Sequence, residues 1–384
     1  MRLPLTEPQR AFVRYTIPAI LTGLLAWLAF LLVGNTPLLR ASGLAAAIIG
    51  VALTLRRMGA LMSLVGGLAL AFSPAFWAQT GGGGSNPATI VLALGAAGIL
   101  AVGLITLVQR PYVAMMAALA VFAAVYISQV GEARSLRLTV FASAWLIYLL
   151  VQAVVTANPR PDEPPHGGYR LAAALRAGIL LILTAATVND PLFVLFVPAV
   201  ALGLIQSRAR IPVWYWIILA VVTVVGIRGI SLIYIAPEWW GVSVETALAA
   251  RGNIPYLILD GLSDGARWIS TFGLLASQFT LAGLFLSVIG LSRLSRWYPP
   301  VGTVMMVGYA TFFAFGLAYF GRDRTTLLLP LLIMQVFLMC YAVHAAGQWA
   351  VKAFQLPEAR TVRLIAPALF AVLPLALFVR ILER

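Results

Sequence analysis

The sequence predicts an all-α protein, a polytopic transmembrane helix bundle of about 11–13 spans, and two properties carry that expectation. Hydrophobic residues fill 62% of the 384 positions, and mean hydropathy is +0.97. Charged residues make up only 10%, whereas a soluble domain uses roughly 25% to wet its surface. A chain this poor in charge cannot cover itself with polar groups, so lipid must be its solvent. No stretch is both long and polar enough to fold separately, and residues 1–384 read as a single transmembrane domain.

A spanning helix takes about 20 apolar residues, fewer inside a bundle. On that rule spans fall near 17–33, 38–55, 59–78, 87–108, 112–130, 137–157, 177–188, 192–206, 213–234, 269–291, 300–320, 326–349 and 364–380. The first follows Arg2, Arg10 and Arg14 as a leader peptide would, but no small-residue cleavage site comes after it, so it is expected to be retained. The spans at 177–188 and 192–206 are short and are separated by Asn189, Asp190 and Pro191. Helices of that length reach only about 18–22 Å. They predict a shallow hairpin that sinks Asp190 partway into the membrane, where irregular backbone needs protein or a water-filled cavity beside it.

The links between spans have their own signatures. Residues 158–170 are rich in proline and glycine and include His166, which predicts a flexible cytoplasmic linker between two halves of the bundle. Segment 235–268 mixes Trp239, Trp240, Tyr256 and Trp268 with acids, a composition suited to the headgroup layer on the outer side. Within it, 243–250 starts with a capping Ser243 and predicts a short interfacial helix. The glycine run at 81–84 follows no strand, so it reads as an outer turn rather than a phosphate loop.

Charge gives an independent check on this threading. The formal net charge is +14, but no basic run is dense enough to track a phosphate backbone, which argues against nucleic acid as a partner. With the N-terminus in the cytoplasm, sixteen of the 26 basic residues fall inside, nine fall outside, and Arg228 stays within a span. That bias follows the positive-inside rule. The single cysteine, Cys340, excludes an intramolecular disulfide and a cysteine metal cluster. It reads as a small packing residue, and His344 reads as a packed neutral histidine.

Ionisable groups within a membrane are costly and mark candidate sites. Arg228 sits in the ninth span, where it either faces a cavity, pairing with an acid such as Asp190, or snorkels to the outer headgroups. Arg322, Asp323 and Arg324 stand at an outer helix end. Two guanidiniums there suit a lipid phosphate, which each can hold through paired hydrogen bonds. A plain helix-end charge cluster is the competing reading. No nucleophile triad, metal-ligand spacing or nucleotide loop is present, so any metal chemistry would rest on carboxylates with a divalent cation such as Mg²⁺.

Several segments resemble the bacterial relatives of the animal transmembrane O-mannosyltransferases, in the GT-C superfamily. Leu70 to Gln79, with Phe72, Ser73, Pro74, Phe76 and Trp77, is similar to that family's FSPxFWxQ stretch. Asn189-Asp190-Pro191 resembles its short hairpin, and Tyr234 with Trp239 and Trp240 its aromatic segment. Gln278, Phe279 and Gly283 match its xQFxxxGLxL helix, and Arg322 to Pro330 its "RY–LP" turn. The resemblance implies a GT-C-like bundle in the bacterial plasma (inner) membrane that takes a polyprenyl-phosphate-linked sugar as donor at the outer face.

It also implies a carboxylate in the first outer loop as base or metal ligand. Here that loop, Gly34 to Pro37, has no acid, the loop from Gln79 to Asn86 has none either, and the family's N-terminal catalytic loop has no counterpart. A missing base removes a step commonly worth about 10²–10⁴-fold. Asp190, Glu132 or an acid within 238–264 could take the base's place; in the active version Asp190 is expected to be the base, with Arg322, Arg324 and Arg228 on the lipid phosphate. The other expectation is a non-catalytic scaffold or accessory subunit working with membrane-protein partners.

Overall fold

The computed structural model describes residues 16–81, 136–158, 169–207, 211–236, 242–250, 253–353 and 362–383. The expected spans 87–108 and 112–130 lie outside these residues, as do most of the 158–170 linker, His166, Trp239 and Trp240. The helices are α1 (Ile17–Leu32), α2 (Leu38–Leu55), α3 (Ala60–Ala71), α4 (Pro74–Trp77), α5 (Leu136–Ala157), α6 (Tyr169–Asn189), α7 (Val197–Gln206) and α8 (Val213–Ile233). They continue with α9 (Val244–Ala249), α10 (Gly265–Trp297), α11 (Pro299–Ala318), α12 (Arg324–Leu327), α13 (Leu329–Ala353), α14 (Val362–Phe370) and α15 (Val372–Leu382). Short 3₁₀ turns join them at Arg56–Met58, Pro191–Phe196 and Leu259–Leu262.

Among the described residues seven helical stretches are long and apolar enough to cross a membrane, and four shorter apolar helices accompany them. The chain is a multi-pass all-α bundle. Helix α13 runs through its centre, buried from Leu329 to Val343 against α10, α11, α14, α3 and α5. Helices α8 and α15 lie at the periphery with most of their apolar side chains exposed, as lipid-facing helices do. Small residues set the closest approach. A Cβ on Gly290 of α10 would sit 1.9 Å from the backbone oxygen of Leu338 on α13, so the two helices touch backbone to backbone.

Several expected boundaries need correction. The run expected at 177–188 is only the C-terminal part of α6, which has 21 residues and reaches about 31 Å. Hydropathy excluded its first turns because they carry Arg170 and Arg176. The hairpin is therefore one full-length helix followed by a 3₁₀ turn and α7. The expected span 59–78 is two helices, because Pro74 can neither donate to the helical ladder nor fit against the preceding turn. Leu328 similarly divides α12 from α13, and Ala371 divides α14 from α15. Helix α10 is broken inside the bundle at Phe279 and Thr280, where Thr280 adopts φ 65°. A β-branched residue is rarely found there. The short helix expected at 243–250 appears as α9, with the Thr246 amide donating to Ser243 Oγ at 3.2 Å.

Side-chain contacts sort the helix termini into two ends, in agreement with the threading. At one end Arg56 donates to Gln152 (2.9 Å), Asn158 to the Gln206 carbonyl (2.9 Å), and Tyr298 to the Asn158 carbonyl (2.6 Å). The opposite end gathers Thr139 with Asp190, Arg40 with Thr80 and Gly81, and Arg267 with the end of α11.

Candidate functional site

At this second end α4 packs between α3, the break in α10 and α12. The Ser73 hydroxyl donates to the Leu70 carbonyl (2.8 Å) and closes α3, while Pro74 starts α4 at a position where its missing N–H costs nothing. Phe76 and Trp77 pack on Phe30, with ring centroids 6.1 and 5.6 Å away. The Ala75 amide, an orphan donor at a helix start, donates to Gln278 Oε1 at 2.8 Å. Gln278 directly precedes the break in α10. Two sequence segments 203 residues apart are thus joined by one buried hydrogen bond.

Asp190 precedes the Pro191–Phe196 turn and is 1% exposed. One carboxylate oxygen accepts the Leu192 amide at 3.2 Å, and the other accepts the Thr139 hydroxyl at 3.0 Å. Asn189 donates in turn to Thr139 Oγ1 (3.2 Å). This carboxylate closes the turn and ties it to α5. An acceptor hydroxyl would reach it only after the turn had opened.

The arginines divide into two kinds. Helix α11 ends at Ala318, leaving carbonyls without helical partners. Arg267 Nε donates to the Leu317 carbonyl at 3.1 Å, and its Nη2 donates to the carbonyls of Gly316 (3.4 Å) and Tyr319. Its guanidinium lies 3.8 Å over the Phe320 ring. Arg324 is buried; it donates to Ser270 Oγ at 2.8 Å and more weakly to the Gly316 carbonyl at 3.5 Å. Burial pushes the Arg324 guanidinium below the usual arginine range. Arg267 and Arg324 repel each other, and Asp264 offsets part of that repulsion while capping α10 through the Ala266 amide (2.9 Å). A negative helix end is what these two cations satisfy.

Arg322 and Arg228 are exposed, and no described residue accepts a hydrogen bond from either guanidinium. Neither they nor Arg324 pair with Asp190. The expected group Asp190, Arg228, Arg322 and Arg324 is therefore not assembled in one place. Arg324 instead shares its acceptor with Arg267, a residue that sequence reasoning left among ordinary outer charges. The available signal was Asp264 three residues earlier, which marks Arg267 as the first turn of a helix. Asp323 accepts a short hydrogen bond from Tyr319 OH.

Segment 253–264 is pinned across this end. Isolated bridges join Ile235 to Tyr256 and Leu257 to Tyr319, and the Ile258 amide donates to the Ala318 carbonyl at 2.8 Å. Among the described residues no group of three or more His, Cys, Asp or Glu side chains could hold a metal ion. A cavity of about 130 Å³ opens between the α3–α4 junction and α15, lined by Phe72, Pro74, Trp77, Ala78, Leu377, Arg380 and Ile381. No family model, curated protein or solved structure matches the chain.

Proposed function

We propose that the chain is a GT-C-like membrane protein of the bacterial plasma membrane that binds a polyprenyl-phosphate-linked sugar at its Arg322 end and does not itself transfer the sugar. The positive-inside bias assigns that end to the outer face and the N-terminus to the cytoplasm. One observation carries the reading: Arg322 is exposed and none of the described residues accepts a hydrogen bond from it, whereas Arg267 and Arg324 already serve the protein. A phosphate arriving there meets a free bidentate donor. Asp264 and Asp323 each accept a hydrogen bond from a protein donor, and Asp190 is buried.

The second reading, an accessory subunit of a larger membrane complex, is favoured by that same engagement of Asp190. Both are tested on the purified protein. Undecaprenyl phosphate is expected to raise the unfolding temperature of wild type where undecaprenol does not, and Arg322→Gln is expected to abolish the gain. No stabilisation by the phosphate would sink lipid-phosphate binding and leave the subunit reading, which then requires stoichiometric copurifying membrane proteins. Sugar transfer by wild-type membranes that disappears in Asp190→Asn would restore Asp190 as a catalytic base.

A further inference from the structure

The cavity beside α15 is separate from the Arg322 turn, and its lining is amphipathic in a specific way. Phe72, Trp77, Leu377 and Ile381 form an apolar wall, and Arg380 stands at the rim. The wall is firm: Phe72 packs on Phe378 with centroids 4.8 Å apart and on Trp77 at 6.1 Å. Leu377 is buried, whereas Arg380 is exposed. No described residue holds the Arg380 guanidinium in a hydrogen bond or ion pair. Trp77 sits at a helix terminus, the level at which tryptophans mark the headgroup layer.

We propose that this groove binds one anionic glycerophospholipid of the surrounding leaflet, with its phosphodiester on Arg380 and the first carbons of its chain between Trp77 and Ile381. The size agrees. A cavity of about 130 Å³ is close to the roughly 150 Å³ that accommodates a benzene ring, which is enough for a headgroup neck and too little for a folded protein segment. The charge agrees as well. One guanidinium neutralises the single charge of a phosphodiester through two parallel hydrogen bonds, whereas a phosphate monoester carries close to two charges at pH 7. Glu383, three residues on at the C-cap of α15, disfavours that second charge. The bound lipid would clamp the peripheral α15 to α4, and so to Gln278 at the break in α10. This assignment does not depend on lipid-linked sugar binding at Arg322.

The test uses the full chain in mild detergent, incubated with equimolar phosphatidylglycerol and phosphatidylcholine, with retained lipid read by native mass spectrometry. Wild type is expected to retain one phosphatidylglycerol in preference to phosphatidylcholine by about tenfold, because both carry the phosphodiester but the choline ammonium cancels the negative charge that Arg380 would otherwise meet. Arg380→Gln is expected to erase that preference, and Arg322→Gln to leave it unchanged. Ala78→Phe fills the groove from an exposed position and is expected to abolish retention of either lipid. Equal retention of the two lipids by wild type, or an Arg380→Gln protein that keeps the preference, would overturn the proposal. So would displacement by millimolar inorganic phosphate, which would mean that no chain is bound, or by equimolar undecaprenyl phosphate, which would reassign the groove to a monoester lipid.

Discussion

Replacing Gly290 by alanine tests the closest contact in the bundle. The added Cβ would stand 1.9 Å from the Leu338 carbonyl oxygen, 2.7 Å from its carbon and 3.2 Å from its Cα. All three atoms belong to the backbone of the central helix, so no side chain can rotate out of the way. Helices α10 and α13 must separate by about 1 Å or more, a forced overpacking that typically costs about 1–3 kcal/mol. Alanine returns roughly 0.5–1 kcal/mol through its better helix propensity; a clash with backbone, which cannot rotate away, belongs in the upper part of the overpacking range and leaves a net loss of about 1–2 kcal/mol. Gly273 on the same helix provides the control, because a Cβ there meets nothing within 4 Å. Gly273→Ala is expected to be neutral or slightly stabilising. The molecule contains its own reporter: Cys340 is the single cysteine, wholly buried on α13 two residues beyond Leu338. Its labelling by a maleimide in detergent measures how often the bundle opens. A loss of 1–2 kcal/mol predicts labelling faster by about 5–30-fold for Gly290→Ala, and labelling no faster than wild type for Gly273→Ala. If the two variants labelled alike, with helix content intact, the backbone contact between α10 and α13 would be refuted.

Three further perturbations separate structural from surface roles. Gln278→Leu keeps the volume but leaves the Ala75 amide buried without an acceptor, so it is expected to cost about 1–3 kcal/mol. A thermal unfolding temperature equal to wild type would show that this bond does not hold α4. Arg267→Ala strips donors from three carbonyls at the end of α11 and is expected to lose about 2–3 kcal/mol, whereas Arg322→Ala is expected to stay within about 0.5 kcal/mol. The reverse order in a denaturation series would contradict the division between the two arginines. Asp190→Ala removes a cap and is expected to cost about 1 kcal/mol, with Asp190→Asn costing less because Leu192 retains an acceptor. Equal unfolding temperatures for wild type and Asp190→Ala would deny the carboxylate its capping role.

The apolar runs were legible because a membrane helix needs length more than pattern, and α2, α5, α8 and α11 fall within a few residues of where hydropathy put them. Breaks inside a run were harder to see. A lipid-facing helix has no polar stripe whose phase would shift at a kink, so the Phe279–Thr280 break leaves no mark in hydropathy. It depends on an acceptor for Ala75 that only the fold supplies. The start of α6 was missed for the opposite reason, since its arginines look like a loop until the helix is seen to continue through them. In the candidate site, an Asp-Pro pair preceding a helix was a readable cap signal at Asp190. It was outweighed there by the expectation that a charge at that depth is functional. Arg267 was illegible because its acceptors lie about fifty residues away.

The polar groups within the described helices bear on where function can reside. Thr22 donates to the Pro18 carbonyl, Thr54 to Gly50, Ser143 to Thr139, Thr184 to Leu180, Thr187 to Leu183 and Thr223 to Leu219. Each hydroxyl turns back onto its own helix, which satisfies it without offering a partner to a passing solute. A transport pathway needs the opposite arrangement, with polar groups from several helices aimed into a shared space at mid-depth. The Tyr309 hydroxyl on Gln335 is a bond of the cross-helix kind, and Gln335 is fully buried in the packed centre rather than on a channel wall. The described interior is therefore built to hold helices together. Exposed guanidiniums without a described acceptor, those of Arg322 and Arg380 among them, stand toward the helix ends rather than in this interior.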